Sequence, residues 1–160
     1  MEKIEIEKYV SRLKRSKEKC LINIEAYDIW LSVLVPLRWI AITIGVIFPA
    51  FAGFAIFSQK LGAEWKVWSA WILLISGIVT GFHTALKCNS HQEECKKLMV
   101  RYEALADEYG DAIDNQPDDI KSVYETLGNE LYKLKKDSAT KPAKWCFSKA
   151  KKKLNFIEKE

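Results

Sequence analysis

Two long apolar runs in the middle of the chain limit its possible folds more than any other feature. Residues 39–59 read WIAITIGVIFPAFAGFAIFSQ and residues 67–86 read VWSAWILLISGIVTGFHTAL, and neither run contains Asp, Glu, Lys or Arg. Each has about the twenty residues that a helix needs to cross a hydrocarbon core of roughly 30 Å. The link between them, KLGAEWK, is too short to hold a domain. The pattern therefore predicts an all-α membrane protein with a two-helix transmembrane hairpin.

The alternative is a soluble bundle in which both apolar helices are completely buried. A surface helix of a soluble protein carries a polar face, and neither run has one. A chain of 160 residues would also have too little other structure to cover two such helices. The transmembrane hairpin is therefore the preferred interpretation.

The distribution of lysine and arginine predicts the orientation of the hairpin. These residues are frequent before the first run and after the second, whereas the link contains only Lys60 and Lys66. Basic residues close to membrane helices stay in the cytoplasm, so we expect both termini to be cytoplasmic. The first twenty residues are charged throughout and do not resemble a signal peptide. The basic residues used are Lys3, Lys8, Arg12, Lys14, Arg15, Lys17, Lys19, Arg38, Lys87, Lys96, Lys97 and Arg101.

Apolar residues at steps of three and four predict a cytoplasmic helical bundle made by the N-terminal helix and the helices after the hairpin. We expect a bend near Pro36, because proline interrupts backbone hydrogen bonding. We also expect the second membrane helix to continue unbroken beyond Leu86, and Asp118 and Asp119 to cap a later helix. The predicted segments are 1–37 (amphipathic helix), 38–87 (hairpin, with helices at about 39–58 and 66–87), 88–137 (cytoplasmic helices) and 138–160 (basic, aromatic tail).

The basic, aromatic tail has two possible interpretations. Lysines alternate with aromatic residues in KPAKWCFSKAKKKLNFIEKE, a composition that can bind an anionic membrane surface. The same residues could instead form a solvated, frayed terminus. The sequence leaves both open.

Small and polar residues recur at helical spacing within the predicted membrane helices. Small residues allow helices to approach closely, so Gly45 and Gly53 in the first run, and Gly77 and Gly81 in the second, are candidate helix contacts. A neighbouring polar stripe on the second run could face a pore, although Ser and Thr also bond to their own helix backbone. The pore-facing candidates are Ser69, Ser76, Thr80 and His83.

The sequence offers little material for catalysis. It has no phosphate-binding glycine loop and no nucleophile elbow, so no catalytic residue, cofactor or specific nucleic acid is expected. Cys88, His91 and Cys95 share a helical face and form a weak metal candidate, with Cys20 as a conceivable fourth ligand. The same positions fall in the apolar seam of the bundle, where cysteine acts as a small apolar residue. This second interpretation is preferred.

The architecture and the run HQEECKKLMVRYEALADEY resemble the SLATT family of two-membrane-helix proteins. His91, Tyr102 and Leu105 match that family's His…Tyr-x-x-Leu signature, and the resemblance covers about residues 10–135. It implies a location in the bacterial inner membrane and a role as an effector of a conflict system. Such effectors are thought to oligomerise and form a pore when a partner senses infection or a nucleotide second messenger.

Three functional hypotheses follow from the sequence and the resemblance. The first is a homo-oligomeric effector that forms a pore or disrupts the membrane in antiviral defence, triggered by a separate cytoplasmic sensor or a protein of a nucleotide-second-messenger system. The second is a non-conducting adaptor, anchored among membrane lipids by the hairpin, that recruits a cytoplasmic partner through its bundle. The third is an enzyme or metal sensor built on the cysteine and histidine residues. We prefer the first, in which the protein is not an enzyme.

Overall fold

The computed structural model describes residues 3–57, 62–85 and 88–154, and the side chains of residues 3, 55–57, 63, 82–85 and 88 lie outside the description. Over these ranges all of the regular secondary structure is helical, as the sequence predicts, and the described residues contain no strand. The helices are α1 (Lys3–Phe57), α2 (Ala63–Ala85), α3 (Cys88–Asn115), α4 (Ile120–Asp137) and α5 (Lys144–Lys153).

Helix α1 differs from the sequence prediction in its length. It runs without interruption for 55 residues and includes both Pro36 and Pro49, so the N-terminal helix and the first apolar run form one element. Proline removes a single backbone donor from a helix, and the helix continues on both sides of each proline. The predicted continuation of α2 into α3 falls at residues 86–87, which lie outside the described residues.

The chain divides into two compact units. Residues 1–31 and 93–160 form the first, called the bundle, and residues 32–92 form the second, called the apolar pair. Each unit contains part of α1, whereas α4 and α5 belong to the bundle alone.

The bundle has a continuous core built from one face of α1, α3 and α4. The predicted seam is confirmed there, because its three-and-four spacing puts the apolar residues of each helix on a single side. Burial of a large apolar side chain contributes about 1.5–3 kcal/mol, so these residues supply most of the stability of this unit. The buried core residues are Leu13, Cys20, Tyr27 and Leu31 of α1, Cys95, Leu98, Tyr102, Leu105, Ala106, Tyr109 and Ala112 of α3, and Ile120, Leu127, Leu131 and Leu134 of α4.

The turn between α3 and α4 follows the predicted chemistry. Helix α3 ends at Asn115, and Gln116 adopts a positive φ of 39° that reverses the chain. Asp119 is the N-cap of α4, where its carboxylate accepts a hydrogen bond from the backbone N–H of Ser122 at 3.2 Å. Such a bond satisfies one of the free N–H groups at a helix start.

The tail is folded between residues 144 and 153, so the frayed terminus is ruled out for this part of it. Helix α5 buries Cys146 and Ala150 completely against Ala26 and Ile29 of α1. The helix starts directly after Ala143, because Pro142 is excluded from a helix interior but tolerated just before its start.

Candidate functional site

The apolar pair consists of the second half of α1 running antiparallel to α2. Its register is set by contacts along its length: Gln92 donates from Nε2 to the carbonyl oxygen of Leu34 at 2.8 Å. Near the middle, a Cβ atom added to Gly45 would lie 2.6 Å from Thr80 Oγ1. At the far end, Ala52 and Ser69 line the same groove. Contacts that move forward along α1 therefore move backward along α2.

The face of α1 that contacts α2 includes the predicted small residues only in part. Gly45 is half-buried, and its missing side chain is what admits Thr80. A Cβ atom on Gly53 would meet nothing within 4 Å, so the predicted contact role of Gly53 is not seen among the described residues. Ala52, which the sequence analysis did not select as a contact, is buried to 2% exposure instead.

The contacting face of α2 is the polar stripe. Ser69 and Ser76 are buried at 3% and 1% exposure. The hydroxyl of Ser69 donates to the carbonyl oxygen of Trp65 at 2.7 Å, and that of Ser76 donates to Ile72 at 2.8 Å. Thr80 Oγ1 likewise donates to the carbonyl oxygen of Ser76 at 2.8 Å.

These hydrogen bonds bear on the prediction that the polar stripe of α2 faces a pore. A serine hydroxyl bonded to the carbonyl four residues earlier has its donor satisfied within its own helix, so it can be buried at a helix contact. Ser69 and Ser76 therefore lie inside the pair, and they could line an aqueous path only if its two helices separated. Thr80 is exposed, and the side chain of His83 lies outside the described residues.

The predicted contact residues on α2, Gly77 and Gly81, lie on a different face from the serines. Both are exposed, and a Cβ atom added to either would meet nothing within 4 Å. They are four residues apart in an apolar helix, which is the spacing of the small-xxx-small contacts that bring membrane helices together. No described residue of the chain covers that surface.

The outer faces of the apolar pair carry most of the exposed apolar surface of the molecule. Among the side chains that the structure describes, all but four of the exposed large apolar ones fall between residues 33 and 78, and the four exceptions are Ile4, Val100, Tyr132 and Trp145. A monomer in water rarely exposes so large a contiguous apolar area. The exposed side chains of the pair are Val33, Val35, Leu37, Trp39, Ile40, Ile42, Val46, Ile47, Phe48, Phe51, Phe54, Trp65, Val67, Trp68, Trp71, Ile72, Leu74, Ile75 and Ile78.

One helix in the described part of the chain is long and apolar enough to cross a membrane, and it spans Ile4–Phe54. Only 6% of its most apolar stretch is buried. The core helix of a soluble protein can reach the same length and apolar content, but it would be mostly buried. The low burial of this stretch of α1 is unlike that of a soluble core helix.

Two residues of the His…Tyr-x-x-Leu motif, Tyr102 and Leu105, help to form the core of the bundle. Tyr102 and Leu105 are buried in the core of the bundle at 2% and 5% exposure, and the Tyr102 ring stacks on Tyr27 with centroids 6.0 Å apart. Tyr27 in turn donates its hydroxyl to the carbonyl oxygen of Thr140 at 2.9 Å. His91 is half-buried on α3. The Tyr-x-x-Leu part of the motif thus serves the packing of α1 against α3.

The cysteine candidates lie in the core rather than at a site open to a ligand. Cys20 and Cys95 are both fully buried in the core cluster. Burial raises the pKa of the Cys20 thiol to about 11, although Lys135 acts in the opposite direction, and burial also raises the pKa of Cys95. Thiols with raised pKa values are poor nucleophiles at neutral pH. Among the residues with described side chains, no group of three or more His, Cys, Asp or Glu could hold a metal; Cys88 lies outside this set.

Gln92 was not among the residues predicted from the sequence, yet its side chain is buried at 4% exposure and joins α3 to α1 within the apolar pair. Only its position next to His91 pointed to a role, and a polar residue on a charged helix is usually solvated. Comparison with known proteins adds no assignment: no protein-family model, curated protein or solved structure matches the chain.

Proposed function

We propose that the apolar pair crosses the bacterial inner membrane as a hairpin and that the bundle lies in the cytoplasm. The exposed apolar faces of α1 and α2 support this location, because lipid is the solvent that makes them favourable. The orientation rests on the basic residues that flank the two apolar runs. Backbone groups of a spanning segment must be bonded internally, and a helix bonds nearly all of them, with Pro36 and Pro49 each removing one donor from α1.

We further propose that the protein is an oligomeric effector of bacterial antiviral defence, which forms a pore or disrupts the membrane when a separate sensor triggers it. The observation that carries this proposal is the uncovered surface around Gly77 and Gly81. Two membrane helices cannot enclose an aqueous path, so conduction needs several copies. An open pair of glycines at the four-residue spacing gives a second copy a surface that it can approach closely. The defence context rests on the resemblance to the SLATT family.

If the assembled protein conducts ions through a path lined by the polar stripe, the packing of α1 against α2 must also change. Ser69 and Ser76 lie against α1 in the single chain, so an aqueous path lined by the polar stripe requires α1 and α2 to separate or rotate. Gly45 and Thr80 are in close contact at that boundary. A triggered rearrangement of this contact would expose the stripe without unfolding either helix.

The test is inducible expression in bacteria with a membrane-potential dye, together with chemical crosslinking of membranes. We expect the parent protein to depolarise the cells when triggered by its sensor or strongly expressed. Gly77→Leu or Gly81→Leu should abolish depolarisation and crosslinked oligomers while insertion, measured by resistance to alkaline extraction, is retained. The matched control is Ala50→Leu, an enlargement at an exposed position on α1. Undiminished depolarisation by an inserted protein carrying both glycine changes would contradict the proposal.

A second candidate function is a non-conducting adaptor, and the burial of the serines favours it. With Ser69 and Ser76 bonded to their own helix, the pair needs no aqueous neighbour. An adaptor would cause no depolarisation, and it would keep its function when residues 38–87 are replaced by an unrelated hairpin of equal length. Loss of function in that chimaera would exclude the adaptor.

A further inference from the structure

Helix α5 is held on α1 by contacts at both ends as well as by its buried middle. At one end the Trp145 ring meets the edge of Trp30, with centroids 6.3 Å apart and an interplanar angle of 66°. At the other end Lys153 forms an ion pair with Glu25. These contacts fix the rotation of α5 about its axis, and so they determine which residues lie on the face turned away from α1.

That opposite face is strongly basic. Lys141, Lys144, Lys149 and Lys152 are all exposed, and no Asp or Glu occurs between residues 138 and 157. No described carboxylate lies within ion-pair distance of these four lysines. We call this set, three lysines of α5 together with Lys141 just before the helix, the α5 basic face. It differs from Lys153, whose charge is compensated by acidic side chains of α1.

The acidic neighbours of α5 lie on α1 at the end of the helix that carries Lys153. The ion pair with Glu25 is the main cause that raises the pKa of Lys153, and Asp28 adds to it. These two carboxylates face the C-terminal turn of α5 and leave the α5 basic face uncompensated. The α5 basic face therefore carries a positive charge that these carboxylates do not offset, and Trp145 lies next to Lys144 and one helical turn before Lys149.

We propose that the α5 basic face binds anionic lipid headgroups at the cytoplasmic membrane surface. The chemistry fits a diffuse anionic surface, because lysines act as point charges and lack the planar, two-pronged geometry with which arginine recognises individual phosphates or bases. Trp145, 47% exposed beside these lysines, adds an amphipathic ring of the kind enriched at membrane surfaces. Along the chain, the last α1 residue that packs against α5 is Trp30, and the apolar pair begins at residue 32. This inference rests on the proposed membrane location.

The test uses the full chain reconstituted in vesicles, with an environment-sensitive fluorophore attached at Ser148→Cys. Ser148 is exposed on α5 among the lysines, whereas Cys20, Cys95 and Cys146 are buried, and labelling of the unsubstituted chain gives the blank. In vesicles containing phosphatidylglycerol we expect a blue-shifted, brighter emission than in phosphatidylcholine alone, with the difference lost at high salt. A lysine near an anionic surface contributes roughly a fivefold factor to binding. Lys144, Lys149 and Lys152 changed together to Gln should therefore lower the equilibrium constant for binding of α5 to the lipid surface on the order of a hundredfold.

The matched control changes three exposed α4 lysines, Lys121, Lys133 and Lys136, to Gln and removes the same net charge. The control should leave the signal unchanged. An equal loss in both variants, or a label that stays in water in both lipids while the protein is inserted, would overturn the proposal and leave the membrane location intact. A response to added RNA in place of lipid would also overturn it. Failure of the chain to insert at all would instead refute the proposed membrane location.

Discussion

Replacing Gly45 with alanine places a methyl group at the closest contact between α1 and α2. The added Cβ atom would lie 2.6 Å from Thr80 Oγ1 and 3.7 Å from Thr80 Cβ, and the first distance is well inside van der Waals contact. The Thr80 hydroxyl cannot move without cost, because it donates to the carbonyl oxygen of Ser76 at 2.8 Å. Either this bond is lost or the two helices move apart.

The expected cost combines three effects of similar size. Overpacking typically costs about 1–3 kcal/mol, and the lost hydrogen bond adds about 1 kcal/mol. Alanine gains up to about 1 kcal/mol over glycine in a helix. We therefore expect Gly45→Ala to destabilise the apolar pair by about 1–3 kcal/mol. Gly77→Ala, where the added Cβ atom meets nothing within 4 Å, should be neutral or stabilising in the monomer.

The assay is an SDS titration in mixed micelles followed by far-UV circular dichroism and tryptophan fluorescence. Thr80→Ala removes the hydroxyl that the new methyl would strike, so combining it with Gly45→Ala should recover about 1 kcal/mol or more relative to the sum of the single changes. Independent sites add to within about 0.5 kcal/mol. Additive effects of Gly45→Ala and Thr80→Ala would refute the contact between these helices.

Three further predictions concern the bundle. Leu105→Ala should destabilise it by about 2–5 kcal/mol in thermal or urea unfolding, because this core side chain is only 5% exposed. Asp119→Ala should cost about 0.5–2 kcal/mol through loss of the α4 cap, and Asp118→Ala, at a neighbouring exposed position, should cost much less. Stability should fall as pH rises from about 9 towards 11, because burial raises the pKa of the Cys20 thiol from 9.0 to about 11 and the unfolded chain loses its proton first. In the Cys20→Ala variant, the free energy of unfolding should fall less steeply with pH, by up to about 1.4 kcal/mol per pH unit. An unchanged slope would show that Cys20 does not cause the loss of stability.

The core of the bundle was predictable because its signal is local. Leu98, Tyr102, Leu105 and Tyr109 recur at three-and-four spacing on α3, and all four are buried in the core. A helix of known period puts such residues on one side, whichever helix covers them. The end of α3 and the cap of α4 were predictable for the same reason, since turn and cap chemistry acts within a few residues.

The rotation of α2 was not predictable from its sequence. Ser76 and Gly77 are adjacent, lie about 100° apart around the helix and are both small, so either could contact α1. In the structure Ser76 is buried and Gly77 is exposed. The serine hydroxyl bonds to the carbonyl oxygen of Ile72, which removes the penalty of burying it. Hydropathy patterns do not record this bond, and so they point to the glycines as the contact face.

In the tail, the sequence pattern gives little indication of the packed helix α5. Its lysines suggest a solvated segment, and only its few small and apolar residues indicate packing. Cys146 and Ala150, four residues apart, are completely buried on α1. Such a short stripe on a ten-residue helix carries little signal by itself, because an isolated helix of that length is unstable. Contact with α1, more than a hundred residues away in sequence, stabilises it.

The sequence by itself determined the helical fold, the two uncharged apolar runs and the seam of the bundle. These depend on periodicity and composition, which act between residues that are close along the chain. The tertiary structure alone decided that Ser69 and Ser76 face α1, that no described residue covers Gly77 and Gly81, and that α5 packs on α1 with Lys144, Lys149 and Lys152 exposed. Each of these outcomes is a choice between surfaces of similar hydropathy. Steric fit and hydrogen bonding between distant parts of the chain make that choice.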